Sequence, residues 1–263
     1  MKHLPVATLL LAISTALAAE LHPVLEAETG FLLGSARKGK WLSAKETAKG
    51  LRGGEEYRLY SATKLIGNRK GGKPVSEEET CPDVFKVPLK QDETDAVIAI
   101  RADWNALPRT PVFASTSQPA YQKAAHDFLV SKGIKNPQVK VTQVVRIDLE
   151  GDGTDEVLVS ATNYFSKDEG VPSGAPPGSY SFVILRREVK NGVKTSMVAG
   201  EFYPKARNFN APAEHKVLAV LDCDGDGAME VIVESGYYEG GWTTVYRCTP
   251  QKIEEIASVA CGA

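Results

Sequence analysis

The sequence predicts a mainly β protein with a small α+β N-terminal region, its C-terminal half built from antiparallel strand-loop-strand repeats. Three observations carry this expectation. Beyond Asn136, almost every stretch between turn signals is rich in Val, Ile, Thr, Tyr and Phe, the residues that fit a pleated, half-buried surface. The segment Val144 to Tyr164 recurs as Leu218 to Tyr238, at an offset of 74 residues. Helical spacing is confined to two short segments.

Taken in order, Met1-Lys2-His3, the apolar run Leu4 to Ala19 and the polar Glu20 give the charge, hydrophobic core and small-residue exit of a secretory signal. Residues 1–19 are therefore expected to be a signal peptide cut after Ala18 or Ala19, and the protein to be secreted or periplasmic. That run falls short of the roughly 20 apolar residues a spanning helix needs, and no later segment reaches it, so no membrane span is expected.

Residues 20–115 read as an α+β region. Strand-like runs occur at Gly30 to Leu33, Tyr57 to Tyr60, Val84 to Val87 and Asp95 to Arg101, with a short helix at Ser43 to Leu51 and glycine pairs at Gly53-Gly54 and Gly71-Gly72 between them. Pro108, Pro111 and Ser115-Thr116-Ser117 then read as a connector. Residues 116–263 are expected to form a helix plus a β-repeat domain. The helix begins with Pro119 in its first turn, presents Tyr121, Ala124, Ala125, Phe128 and Leu129 on one face, and stops at Gly133. His126 lies off that face and reads as solvated. Strands follow at Val139 to Asp148, Glu156 to Ala161, Tyr180 to Val189, Lys194 to Phe202, Lys216 to Asp222, Glu230 to Ser235 and Thr243 to Cys248, with a long loop at Ser166 to Ser179.

With 31 Lys and Arg against 33 Asp and Glu the formal net charge is -2, and the lysines are scattered, so no nucleic-acid-binding face is indicated. Four cysteines in an exported chain favour disulfides, and three pairings are possible. Cys248 and Cys261 flank an expected hairpin, which makes their bridge the easiest to close; Cys81 with Cys223 then follows by elimination.

The repeat carries the chemistry. It aligns Asp148-Leu149-Glu150-Gly151-Asp152-Gly153-Thr154-Asp155-Glu156 with Asp222-Cys223-Asp224-Gly225-Asp226-Gly227-Ala228-Met229-Glu230, each between apolar strands. Calcium is a hard cation that takes about six to eight oxygens. Each loop offers carboxylates at positions 1, 3 and 5, a glycine at position 6 for the sharp turn, a backbone carbonyl at position 7 and a glutamate at position 9. The expected ligands of two calcium ions are thus Asp148, Glu150, Asp152, the Thr154 carbonyl and Glu156 in the first loop. In the second they are Asp222, Asp224, Asp226, the Ala228 carbonyl and Glu230. An EF-hand would place glutamate at position 12 and helices on both sides; here Val159 and Val233 stand at position 12, and the flanks are strands.

The pattern Asp-x-Asp-Gly-Asp-Gly-x-x-Glu between apolar strands resembles the calcium loop of FG-GAP or VCBS-type repeats. The resemblance covers roughly residues 138–263. It implies blades of antiparallel strands like those of a β-propeller, structural calcium, and a role in adhesion or surface recognition without naming a ligand. Two departures stand out: only two loops are present, too few to close a propeller, and Glu150 replaces the usual aspartate at position 3.

No catalytic site emerges. Gly34 to Lys40 and Gly67 to Lys73 resemble the start of a phosphate-binding loop, but Trp41 and Pro74 stand where the magnesium-binding Ser or Thr is required. There is no G-x-S-x-G and no H-E-x-x-H, and the pair Glu93 and Asp95 reads as solvated turn acids. Gly236 to Trp242 sets aromatics on a glycine-rich turn, suited either to a protein or carbohydrate ligand or to packing on the sheet, with Tyr164 and Phe165 in the similar place of the first repeat. The expected function is a secreted calcium-binding structural or recognition protein. The alternative is an exported hydrolase whose site lies in the N-terminal region; a concave pocket gathering titratable groups from residues 20–115 would favour it.

Overall fold

The computed structural model describes residues 20–37, 40–77, 79–90, 95–163, 172–205 and 210–262. The expected signal peptide, Glu93, Tyr164, Phe165 and residues 166–171 of the expected long loop lie outside the described residues. The N-terminal part runs β1 (His22–Glu26), β2 (Leu32–Arg37), β3 (Lys40–Leu42), α1 (Ala44–Gly50), β4 (Glu56–Tyr60), β5 (Leu65–Lys70), β6 (Val75–Ser76), β7 (Phe85–Lys86), β8 (Ile98–Ile100) and β9 (Val112–Phe113). Next come α2 (Pro119–Ser131), β10 (Val141–Ile147), β11 (Glu156–Thr162), β12 (Ser179–Val189) and β13 (Gly192–Tyr203). The chain ends with β14 (Glu214–Leu221), β15 (Glu230–Tyr237), β16 (Gly240–Cys248) and β17 (Ile253–Gly262).

The architecture is mainly β, and the strands pair antiparallel throughout the described residues. Each repeat is an up-and-down meander: β13-β12-β11-β10, edged by β9, forms one sheet, and β14-β15-β16-β17 another. A six-stranded N-terminal sheet has the order β3-β2-β1-β8-β4-β5. The acidic loops occupy the same place in both meanders, joining first strand to second, β10 to β11 and β14 to β15.

The three sheets stack, and this explains why the repeat strands read as unbroken apolar runs. A strand covered on both faces must be apolar at successive positions. Along β10, Val144 packs under α2 with Ala125, Leu129 and Phe128, while its neighbour Val145 points into the core between the two repeat sheets. That central core joins Ile147, Leu158, Val183 and Leu185 to Val217, Val220, Val231 and Val233. On the other side of the second repeat, Leu221, Ile232, Val245 and Val259 meet Val24, Leu33, Ile98 and Ile100 of the N-terminal sheet. The outer face of the N-terminal sheet is covered by Leu51, Val87 and the partly buried Ala44 and Ala48.

Both expected helices are present. Ser43 caps α1 with a full capping box, its hydroxyl accepting from the Glu46 N–H while the Glu46 carboxylate accepts from the Ser43 N–H. On α2, Ala125 and Leu129 are buried and His126 is exposed. No helix among the described residues is long and apolar enough to cross a membrane.

The disulfide differs from expectation. Cys81 is bonded to Cys261, with a Cα–Cα distance of 5.3 Å, while Cys223 and Cys248 are buried free thiols. Register is the reason. Cys248 faces Ile253 beside the β16–β17 turn, whereas Cys261 faces Gly241 at the far end of the hairpin. At about 3.3 Å per residue along the strand the two are more than about 20 Å apart. Cys261 instead meets the turn between β6 and β7, where Cys81 N–H donates to the Glu77 carbonyl at 2.7 Å. Burial drives the Cys223 thiol well above its ordinary pKa and pushes Cys248 to about 12, so both are held as thiols.

Candidate metal centre

The two loops fold alike because the same side chains accept the same backbone donors. In the first, Asp148 Oδ1 accepts from the Gly151 N–H at 2.6 Å and Oδ2 from the Gly153 N–H at 2.9 Å. In the second, Asp222 Oδ1 accepts from Gly225 at 2.6 Å and Oδ2 from Gly227 at 3.1 Å. Position 5 accepts from position 7 in both: Thr154 N–H to Asp152 and Ala228 N–H to Asp226, each 2.8 Å. Such a coil needs left-handed backbone at positions 4 and 6, and Gly151, Gly153, Gly225 and Gly227 have φ of 77°, 88°, 79° and 90°.

Position 9 closes the coil from below. Glu156 Oε2 accepts from the Leu149 N–H and Glu230 Oε2 from the Cys223 N–H, both at 2.9 Å. These glutamates hold position 2 in place; Glu230 is not among the three carboxylates gathered at the mouth of its loop, and Glu156 shares a hydrogen bond with Glu150. Position 12 is Val159 or Val233, both buried in the sheets.

The loops differ at the mouth. In the second, oxygens of Asp222, Asp224 and Asp226 lie within 4.8 Å of one another, the only such group among the described residues. The Asp226 N–H donates to Asp224 Oδ1 at 3.2 Å, which turns position 3 inward. In the first loop the Asp152 N–H donates to Asp148 Oδ1 at 3.1 Å instead, and Glu150 reaches out to Arg187. Three convergent hard oxygens fit a divalent cation of the calcium type, and this donor set is met in the second loop.

Charge sharpens the contrast. Burial first, then the neighbouring acids, raises Asp222 and Asp224 above their usual range. Burial, with the Asp224 charge beside it, pushes Glu230 to about 8. At Asp148 burial acts the same way but is outweighed by the N–H groups of Gly153, Gly151 and Asp152 and by Arg109, so its pKa falls. Burial, with the Glu150 charge beside it, likewise pushes Glu156 to about 7, so position 9 is raised in both loops and the loops part at position 1, lowered in the first and raised in the second.

Several residues of this centre escape sequence inspection. Arg109, in the expected connector, binds both loops: Nε donates to the Asp148 carbonyl at 2.6 Å, and Nη2 to the carbonyls of Leu149 at 3.0 Å and Gly227 at 2.7 Å. The loops also touch directly, Met229 N–H donating to the Leu149 carbonyl at 2.9 Å. Trp104 Nε1 donates to the Asp222 carbonyl at 2.9 Å. Arg187 on β12 and Arg247 on β16 pair with the position-3 acids, Glu150 and Asp224. These two stand at equivalent places in the third strand of each repeat, an equivalence that strand register reveals and the 74-residue offset does not.

Elsewhere, Gly34 to Arg37 and Gly67 to Lys70 lie in extended strands, so neither is a phosphate loop. In the Gly236 to Trp242 segment the Tyr237 and Trp242 rings pack on each other at 6.4 Å, and Tyr238 is the exposed aromatic. A cleft of about 370 Å³ lies between the N-terminal sheet and the second repeat, lined by Glu26, Glu28, Phe31, Glu234 and Thr243 among others. No family model, no curated protein and no solved structure matches the chain.

Proposed function

We propose that this is a secreted or periplasmic calcium-binding protein, non-catalytic, in which calcium in the acidic loops stiffens two repeat sheets that present a structural or recognition surface. The observation that carries the reading is the convergence of Asp222, Asp224 and Asp226 at the mouth of a loop whose fold is duplicated at Asp148 to Glu156. The ligands proposed are those carboxylates with the Ala228 carbonyl, and Asp148, Glu150, Asp152 and the Thr154 carbonyl in the first loop. Glu156 and Glu230 act behind them by fixing position 2. The likeness of the loops to FG-GAP or VCBS-type repeats remains part of this proposal, and an adhesion-like role with a protein or carbohydrate ligand belongs with it. The test is the melting temperature in millimolar calcium, in magnesium and in chelator, for the native protein and for Asp152→Ala and Asp226→Ala. At free calcium about 100 times the dissociation constant the gain is about 2.7 kcal/mol. A calcium-specific rise reduced in Asp226→Ala supports the reading; equal melting in all three solutions refutes it.

One observation favours the second reading, an exported hydrolase. The cleft beside β1 and β16 gathers Glu26 and Glu28 with Glu234. Burial, together with the charges of Glu234 and Glu28, raises Glu26 against the hydrogen bonds from Thr243 and Thr29. A carboxyl whose pKa is raised by burial in a cleft beside other carboxyls is the pattern of a general acid. Turnover of chromogenic glycosides or esters that disappears in Glu26→Gln would establish it; no turnover across such a panel removes it.

A further inference from the structure

Strand register places Arg187 and Arg247 at the same point of their repeats. Val157 pairs with Arg186, and Val231, its repeat counterpart, pairs with Tyr246; the next residue in each third strand is the arginine. The offset between the arginines is 60 residues rather than 74 because the connection from second to third strand is 16 residues in the first repeat (163–178) and two in the second (238–239), a difference of 14. Arg187 Nη1 donates to Glu150 and Nη2 to the Cys248 carbonyl at 2.6 Å. Arg247 Nη2 donates to Asp224, and its Nε lies 3.4 Å from Glu230 Oε1. Both acids of the second loop are almost wholly buried, with side-chain exposures of 6% and 1%. A buried carboxylate without a counterion is costly, so a guanidinium fixed at this point serves the loop whenever no metal does.

We infer that Arg187 and Arg247 are built-in counterions of the two loops, holding the position-3 acid in the metal-free protein and lowering the affinity for the divalent cation that competes for it. This rests on the calcium reading above. The guanidinium and the cation claim the same carboxylate oxygens, and their like charges repel across a few ångströms. Calcium entry at the second loop therefore requires Arg247 to release Asp224. Arg247 neutralises two acids and Arg187 one, so the effect is larger at the second loop.

The experiment is calorimetric titration of calcium into the native protein, Arg247→Gln, Arg247→Lys and Arg187→Gln, alongside melting in chelator. Glutamine keeps a donor and removes the charge; lysine keeps the charge. Arg247→Gln is expected to bind calcium about ten-fold more tightly while melting at a lower temperature in chelator, with Arg247→Lys close to native in affinity. A purely structural arginine would lower both, so affinity that is unchanged or weaker in Arg247→Gln overturns the inference while leaving the calcium reading intact. Calcium uptake by Arg247→Gln but not by the native protein supports the inference. Absence of uptake in every protein ends both. Should Arg247→Gln fail to fold, Arg187→Gln decides by the same criterion at the first loop.

Discussion

The two repeats share a backbone and differ in what surrounds it. Both loops coil around a position-1 aspartate and are closed by a position-9 glutamate, with matching donors and nearly matching distances. In the second loop, aspartate at position 3 keeps its carboxylate at the mouth, and three carboxylates converge there. In the first, Glu150 pairs with Arg187 as Asp224 does with Arg247, but on its longer side chain the carboxylate does not gather with those of Asp148 and Asp152. The surroundings diverge too. The second repeat lies between two sheets, is tied to the N-terminal part by Cys81–Cys261, and has Trp104 against its loop; the outer face of the first is covered by α2. Backbone pattern thus fixes the shape of such a loop, and one side-chain length together with its neighbours decides whether the oxygens gather.

The largest expected difference comes from the disulfide, which only the second repeat has. It closes a loop with a sequence separation of 180 residues. Loop-closure entropy gives about 5 kcal/mol for a loop of that length. Cys81→Ser or Cys261→Ser should lose most of this in urea unfolding; an unchanged midpoint would mean the second repeat does not depend on its staple.

Next is the acid sensitivity that a buried histidine gives the second repeat. His215 is buried against Ser235 and Trp242, and burial lowers its pKa from 6.5 to about 4; the first repeat has Val141 at that place. The folded pKa lies below the unfolded one, so the unfolded chain binds more protons between these values. The stability is complete above pH 6.5 and is lost as pH falls toward 4, by about 3 kcal/mol in all. His215→Val should flatten that part of the pH–stability curve, and an equal acid slope in the variant would contradict the assignment.

A smaller difference separates two glycines at position 4. An added Cβ at Gly225 would stand 3.0 Å from the Trp104 indole, and one at Gly151 would stand 3.0 Å from the end of the Arg109 side chain. Both suffer the left-handed backbone, about 1–2 kcal/mol for an L-residue. The end of the flexible arginine can give by a few tenths of an ångström and keep its hydrogen bonds to the loops, whereas three indole atoms crowd Gly225, so Gly225→Ala should lose about 1 kcal/mol more than Gly151→Ala in thermal melts. Equal losses would mean that Trp104 yields as readily as Arg109.

Much of the C-terminal half was legible because its strands are covered on both faces and so spell out apolar runs, and because the loop acids repeat at one fixed offset. The arginines were hidden by the same repeat. The connection 163–178 shifts the third strand out of the 74-residue offset, so Arg187 and Arg247 do not align until register is known. The disulfide is not legible because Cys248 and Cys261, though near in sequence, stand at opposite ends of a hairpin that brings together only residues equidistant from its turn. Arg109 and Trp104 sit in a proline-bounded connector whose composition gives no sign of the loops they reach. The N-terminal sheet was only partly legible: its strands are three to six residues long, too short for a period to register, and β1 pairs with β8 across some 70 residues of chain.

The central claim is tested most directly by calorimetric titration of calcium into the native protein and into Asp226→Ala. The account predicts calcium uptake whose tighter phase belongs to the second loop and vanishes in Asp226→Ala, with any weaker phase surviving there. Titration curves that are identical for the two proteins, or heats no larger than dilution in the native protein, would contradict it.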